Sequence, residues 1–209
     1  MTRDQIAVKI RENLNDHGIT YYSSEDLNDS IQDAYDEIVV YTECIEKITK
    51  ITLPGDSTYY NFATLIPDFY RLMGIHNPEI NAYLTPDTDR NQLNYRNNWE
   101  TITGSARDFT ILDYRYIGIA GRSSYSRTFK IYYKAQAPTL SGSTSLLINS
   151  HYQILVEHYC TADLLEQNQE FNKAVNYWAL YEHLLEDYKF KIKLLSKADR
   201  IFTRTQDAS

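Results

Sequence analysis

Apolar residues recur at helical spacing near both ends of the chain and at strand-like spacing in its middle. The first helix is predicted from one apolar stripe that consists of Ile6, Ile10 and Leu14. Thr2 and Gln5 form a capping-box pattern at its start. Gly18 is predicted to end it, because glycine is the usual residue just past a helix C-terminus.

A second helix is predicted to begin at Ser23 or Ser24, with Glu25 and Asp26 in its first turn. Its apolar positions alternate four and three residues apart: Leu27, Ile31, Ala34, Ile38, Tyr41, Ile45 and Ile48. This heptad spacing is typical of a helix that packs lengthwise against another long helix.

The middle of the chain, from residue 48 to about residue 138, is predicted to form short strands and loops. Prolines and glycines interrupt β-rich runs at residues 59–60, 69–73, 109–112, 116–119 and 128–133. We expect a small antiparallel lobe, with a short helix within residues 89–99.

Helical spacing returns after the polar residues 139–145. Ser150 is predicted to cap a third helix, and a fourth helix is predicted to start near Gln169. The apolar residues of the fourth helix alternate three and four apart: Phe171, Ala174, Trp178, Tyr181, Leu185, Tyr188, Ile192 and Leu195. We interpret Trp178 and Tyr181 as core residues of this seam.

These elements predict an α+β fold, in which an antiparallel helical bundle from the N- and C-terminal helices carries an inserted antiparallel β-lobe. The second and fourth helices are the expected partners. The predicted organisation is residues 1–47 for the N-terminal helices and 48–140 for the β-rich lobe. Residues 141–188 form the C-terminal helices, and 189–209 form a basic helix end and arm.

Charge and composition narrow the classes of function. The net charge is −7, which disfavours a protein that grips nucleic acid, since phosphate neutralisation supplies most non-specific affinity. No apolar run is long enough to span a membrane, and the first residues lack the apolar region of a signal peptide, so we expect synthesis in a cytoplasm. The 19 tyrosines suit either surfaces buried on assembly or a tyrosine-rich core.

The C-terminal segment differs from the rest in charge. Residues 189–204 carry six cations against Asp199, a net +5, so the remainder carries −12. The cations are Lys189, Lys191, Lys193, Lys197, Arg200 and Arg204. We predict that these cations dock on an acidic partner. The alternative is that they interact favourably with the dipole at the helix C-terminus, which accounts for two or three of them.

The sequence contains no pattern that indicates catalysis or a cofactor. Five histidines and the free thiols expected at Cys44 and Cys160 show no metal-ligand spacing, and phosphate-binding and nucleophile motifs are missing. Asp108 and Asp113 are a weak candidate for paired carboxylates. We therefore predict that the chain is not an enzyme and has no metal or cofactor.

Several stretches resemble the adaptor (head–tail connector) proteins of tailed bacteriophages. Residues 10–16 (IRENLND) and 21–32 (YYSSEDLNDSIQ) are similar to the first helical pair of that family. Residues 66–71 (IPDFYR) and 131–138 (IYYKAQAP) resemble its β-insertion. Residues 159–165 (YCTADLL) and 169–174 (QEFNKA) resemble the last helical pair.

The resemblance implies a structural subunit of a head-to-tail connector ring in the virion. Such proteins form a dodecamer beneath the portal protein, extend the DNA channel and carry tail or nozzle proteins. Genomic DNA passes through without sequence-specific binding, and no membrane is involved. The C-terminal segment of such proteins docks in the portal, a role that the six cations fit. The alternatives are a non-viral protein–protein interaction module and, more weakly, a hydrolase built from scattered acids.

Overall fold

The chain has an α+β fold. The computed structural model describes residues 1–16, 21–87, 99–113 and 115–206, with side chains up to residue 195 except that of residue 87. The helices are α1 (Arg3–Asn13), α2 (Ser24–Thr42), α3 (Phe62–Leu65), α4 (Ile154–Gln167) and α5 (Phe171–Gln206), with a 3-10 turn at Ser150–Tyr152. The strands are β1 (Glu46–Leu53), β2 (Tyr59–Asn61), β3 (Phe69–Asn77), β4 (Ala82–Tyr83), β5 (Thr85–Asp87), β6 (Asp108–Ile111), β7 (Tyr116–Ile119) and β8 (Arg127–Ala135).

The chain divides into two compact units. A helical unit comprises Met1–Ile45 and Ala137–Ser209, and a β unit comprises Glu46–Gln136. In the helical unit, α4 packs against α1, α2 and α5. Its fully buried positions include Leu155, Val156 and Cys160.

Polar contacts link these helices as well. Ser30 of α2 donates a hydrogen bond of 2.7 Å to Asp163 of α4, and Lys9 of α1 pairs with Glu157 at 2.9 Å. The expected pairing of α2 with α5 is present, but α4 has the more extensive packing with both helices. The heptad pattern predicted that α2 and α5 pack directly against each other, but each of them packs more extensively against α4.

The predicted capping box at the start of α1 is confirmed. The Gln5 N–H donates to the Thr2 hydroxyl at 3.3 Å, and the Thr2 N–H donates to the Gln5 side chain at 2.9 Å. The helix ends at Asn13, before Gly18, and Gly18 lies outside the described residues.

The prediction that α2 continues through Ile48 is wrong. The helix ends at Thr42, and Glu43 adopts a left-handed conformation with φ 52°, its N–H bonded to the Val39 carbonyl. Ile48 then lies in β1, where its side chain is 64% exposed. Residues 46–53 (EKITKITL) are rich in β-branched side chains, so strand propensity overrides an apolar spacing that happens to continue the heptad. Cys44 is free and half-buried in the connection, whereas Cys160 is free and buried as expected.

Two details of the later helices also differ from prediction. Asn149, rather than Ser150, accepts the capping hydrogen bond, from the His151 N–H at 3.0 Å. The seam of α5 is buried only at Ala174, Tyr181, Leu185 and Tyr188, and residues 189–206 continue the same helix. The basic segment is thus a helical extension through Gln206.

The β unit contains two four-stranded sheets, in the orders β1-β8-β3-β4 and β2-β7-β6-β5. Four of the five predicted strand runs lie within observed strands, and the run at residues 109–112 extends one residue past β6, which ends at Ile111. The lobe is not wholly antiparallel, because β5 pairs with β6 in parallel. The predicted helix within residues 89–99 falls outside the described residues except for Trp99, which is buried.

A close contact fixes the second sheet. The Trp99 ring lies over Gly118 of β7, where an added Cβ would approach Trp99 Cη2 to 2.8 Å. In the first sheet, Ile75 and Ile131 are fully buried on one face. The opposite face of β1 is exposed at alternate residues, so the strand has one packed and one outward face.

Candidate partner-binding surfaces

The extension of α5 beyond Tyr188 holds the six cations predicted to bind a partner. Tyr188 is the last buried residue of α5 among the side chains described. The backbone of Lys197, Arg200 and Arg204 lies within the helix, and their side chains lie outside the described set. The structure therefore places all six predicted residues on one helix, with side-chain detail for Lys189, Lys191 and Lys193.

Two of these lysines help to anchor the base of the extension. Lys189 Nζ lies 3.4 Å from the centroid of the Tyr41 ring on α2. Lys191 Nζ pairs with Asp187 at 3.0 Å and lies 5.2 Å from the Tyr152 ring centroid. Cation–π contacts and helical ion pairs of this kind each contribute modestly, and together they fix where the extension begins.

An aromatic and charged cluster also fixes the position at which the α5 extension begins. Tyr152 and Tyr188 stack with ring centroids 4.3 Å apart, and the Tyr152 hydroxyl donates to Asp187 at 2.7 Å. Hydrogen bonds from Tyr152 and Lys191 lower the pKa of Asp187. Hydrogen bonds with Tyr152 and Asp187 raise the pKa of Lys191. Both charged forms are therefore favoured at neutral pH.

Exposed apolar side chains accompany the lysines. Phe190 is 60% exposed, Leu194 49% and Leu195 63%. The sequence interpretation placed Leu195 in the buried seam and missed Phe190 and Leu194. The spacing of four between Phe190 and Leu194 was a readable signal, since it sets two apolar side chains on one face among lysines. An exposed apolar stripe on a charged helix is typical of a surface that a partner covers.

An acidic groove lies between α2 and α5 in the helical unit. It encloses about 400 Å³ and is lined by Glu37, Tyr41, Trp178, Tyr181, Glu182, Leu185 and Glu186. The Tyr181 hydroxyl donates to Glu37 at 2.7 Å, and the Tyr41 hydroxyl donates to Glu186. Burial, together with the bond to Glu37, raises the pKa of Tyr181, so its hydroxyl remains a donor.

Trp178 forms a wall of this groove and is not a full core residue. It is half-buried, and its Nε1–H donates to Glu166 at 2.9 Å. Its ring meets those of Tyr159 and Tyr181 edge-on, with centroids 5.0 and 5.8 Å away. The sequence interpretation of Tyr181 as core is confirmed, whereas that of Trp178 is wrong because the seam residue faces the groove rim.

Asp113, one of the two paired-carboxylate candidates, and the histidine His158 both have structural contacts. Asp113 accepts the backbone N–H groups of Arg115 and Tyr116 in a turn, at 2.6 and 3.0 Å. His158 lies beside the Tyr177 ring at 5.9 Å, and burial lowers its pKa. Among the described residues, no three His, Cys, Asp or Glu side chains are grouped as metal ligands would be. Within the same residues, every helix is too short or too polar to cross a bilayer.

The comparisons with known proteins identify one family. A family model described as SU10 adaptor protein matches residues 1–206 of the chain. The match spans both units and reaches the end of α5. None of the curated proteins matches the sequence.

Proposed function

The chain belongs to the SU10 adaptor protein family, and on that premise we propose that it is a ring subunit of a phage head-to-tail connector. Membership of an adaptor family supports a virion component rather than an enzyme. In this proposal, copies of the chain form a dodecamer that docks beneath the portal protein, extends the DNA channel and carries tail or nozzle proteins.

The extension of α5 is the proposed portal-docking element. The observation that carries this assignment is the coincidence of three lysines with three exposed apolar side chains on a helix that continues past its own packed core. An apolar stripe supplies affinity by burial, and the flanking cations steer the helix to an acidic surface. The proposed contact residues are Lys189, Lys191, Lys193, Lys197, Arg200 and Arg204.

The six cations have two different roles in this proposal. Lys189 and Lys191 already contact Tyr41, Asp187 and Tyr152 of their own chain, so in the proposal they mainly set the direction of the helix. The partner then meets Phe190 and Leu194 on the exposed face and the cations beyond them. The bundle-with-inserted-lobe arrangement belongs to this proposal too.

The acidic balance of the rest of the chain fits a DNA conduit. The net charge is −7 although residues 189–204 carry +5. All six charged residues of α2 are acidic. A negatively charged lining repels DNA phosphates, so the genome slides without being held.

The test is to co-express the chain with a portal protein encoded by the same phage genome and to image the purified product by negative stain. We expect an additional ring layer on the portal. The control is a chain with Phe190→Ser and Leu194→Ser, which leaves the packed part of α5 intact and should leave the portal bare. A wild-type chain that elutes apart from the portal at every concentration would refute the proposal.

A further inference from the structure

A ridge on the outward face of the first sheet carries two opposed lysines beside an exposed isoleucine. It consists of Ile48 and Lys50 on β1 and of Lys130 and Tyr132 on β8, and we call these four residues the sheet ridge. In the register of the two strands, Ile48 faces Tyr132 and Lys50 faces Lys130. Neither lysine makes an ion pair within the described part of the chain.

This arrangement costs stability in the isolated chain. Like charges directly opposite on neighbouring strands repel each other, and Ile48 is 64% exposed on an edge strand. Edge strands avoid association when they carry isolated charges. An apolar side chain beside two cations that have no ion pair among the described residues instead offers both contact area and direction. The sheet ridge therefore has the properties of a binding surface for an acidic partner with an apolar floor.

The acidic groove of the helical unit has the complementary properties. Glu37, Glu182 and Glu186 make no ion pair within the described residues. Trp178 and Leu185 supply apolar walls. Lys189 of the same chain lies over the Tyr41 ring at the groove, which shows that its aromatic lining accepts an ammonium group.

The spacings of the two surfaces agree. Side chains directly opposite on antiparallel strands have Cβ atoms about 5 Å apart, as for Lys50 and Lys130. Residues four apart on a helix are separated by about 6 Å along its axis, as for Glu182 and Glu186. Two cations can thus meet two carboxylates while Ile48, two residues from Lys50 on the same face of β1, contacts the apolar walls.

We infer that the sheet ridge of one copy docks in the acidic groove of the next copy, which makes this pair of surfaces the contact between ring neighbours. The inference rests on the proposed ring and names the surfaces that close it. The contact is heterologous, because each copy gives its ridge to one neighbour and its groove to the other. Such contacts form a closed ring whenever the rotation between copies divides a full turn.

Charge exchange between the two surfaces tests this contact. The variants are Lys50→Glu, Glu182→Lys and the double variant, because neither Lys50 nor Glu182 makes a hydrogen bond or an ion pair within the described part of its own chain. Glu12→Lys, which changes an exposed carboxylate on α1, is the control for net charge. Circular dichroism and thermal melts establish that all four chains fold.

The readout is mass photometry over a concentration series, followed by negative stain with the portal protein. Each single variant should need a protein concentration higher by about tenfold or more to assemble, since it replaces an attractive pair by a repulsive one. The double variant, the equimolar mixture of the two single variants and the Glu12→Lys chain should assemble like the wild type. Restoration by the second reversal cannot come from a general effect of charge.

The inference and the proposed function fail separately. The inferred contact is wrong if the single variants form portal-bound rings as readily as the wild type, or if the double variant assembles no better than the single variants. Neither outcome refutes the proposed ring itself. If only Glu182→Lys weakens assembly, the groove binds a basic segment other than the sheet ridge. Rings that form as inferred but ignore the portal would refute the docking proposal alone, and a wild type that stays monomeric with and without portal would refute both.

Discussion

The two halves of α5 share one continuous helix but differ in what surrounds them. In the first half, Tyr181, Leu185 and Tyr188 are buried against the helical unit. In the second half, Phe190, Leu194 and Leu195 face solvent between lysines. Apolar residues of the buried seam therefore serve stability up to Tyr188, whereas Phe190, Leu194 and Leu195 beyond it are exposed to a partner. The difference teaches that a periodic apolar stripe specifies a helix but not what covers it.

Removal of the second half gives the largest expected effect. A chain that ends at Tyr188 should lose portal docking entirely, because every proposed contact residue is deleted. The packed half keeps its buried side chains, so cooperative unfolding and near-ultraviolet dichroism should remain close to wild type. Co-purification with the portal and a urea titration measure the two properties. Collapse of the whole helical signal would show that the two halves are one folding unit and would end the comparison.

A pair of leucine truncations sharpens the same contrast. Leu185→Ala should lower the free energy of unfolding by about 2–5 kcal/mol, since it opens a cavity in a packed site. Leu194→Ala, the matched change nine residues later, should alter it by no more than about 0.5 kcal/mol. Urea denaturation of both variants gives the comparison directly. Equal losses would place Leu194 in a packed environment.

Trp178→Ala tests a half-buried position, intermediate between the buried Leu185 and the exposed Leu194. Because the indole is half-buried at the groove rim, we expect a loss of about 1–3 kcal/mol in unfolding free energy, below the roughly 3–5 typical of a fully buried tryptophan. Tyr181→Phe is the matched control, which keeps the ring and removes only the hydroxyl bonded to Glu37. A loss for Trp178→Ala of 4 kcal/mol or more, on the order of a full core truncation, would restore the original core interpretation.

Much of the helical pattern could be predicted from sequence because capping and periodicity are local. The Thr2–Gln5 capping box and the buried seam positions Ala174, Tyr181, Leu185 and Tyr188 are examples. The end of α2 could not be predicted from sequence. The apolar spacing from Ile45 to Ile48 fits a heptad, while the same residues favour a strand. Only pairing with β8, which lies some 80 residues later, decides between them.

The candidate surfaces were predicted only in part, for a related reason. The six cations stand out in the sequence because their charge is local, but the predicted buried seam ran on through Ile192 and Leu195, so the exposed Phe190 and Leu194 were missed. The acidic groove joins Glu37 of α2 to Glu182 of α5, and no local pattern links residues so distant. The opposition of Lys50 and Lys130 likewise depends on strand register, which sequence periodicity does not fix between distant strands.

The boundary between the two halves offers the smallest and most specific prediction. Hydrogen bonds from Tyr152 and Lys191 lower the pKa of Asp187, so the stabilisation they give is present above the ordinary aspartate pKa of about 3.9 and is lost as the pH falls through the lower folded value. Asp187→Asn should therefore lower Tm slightly at pH 7, and the difference from wild type should vanish as the wild-type carboxylate is protonated. Thermal melts from pH 2 to 7 measure this, with Lys173→Gln, which removes the ion pair between Lys173 and Glu170 near the start of α5, as the control. A Tm difference that stays constant from pH 2 to 7 would mean that Asp187 anchors the extension through packing alone. The charge of Asp187 would then contribute nothing at the boundary between the two halves of α5.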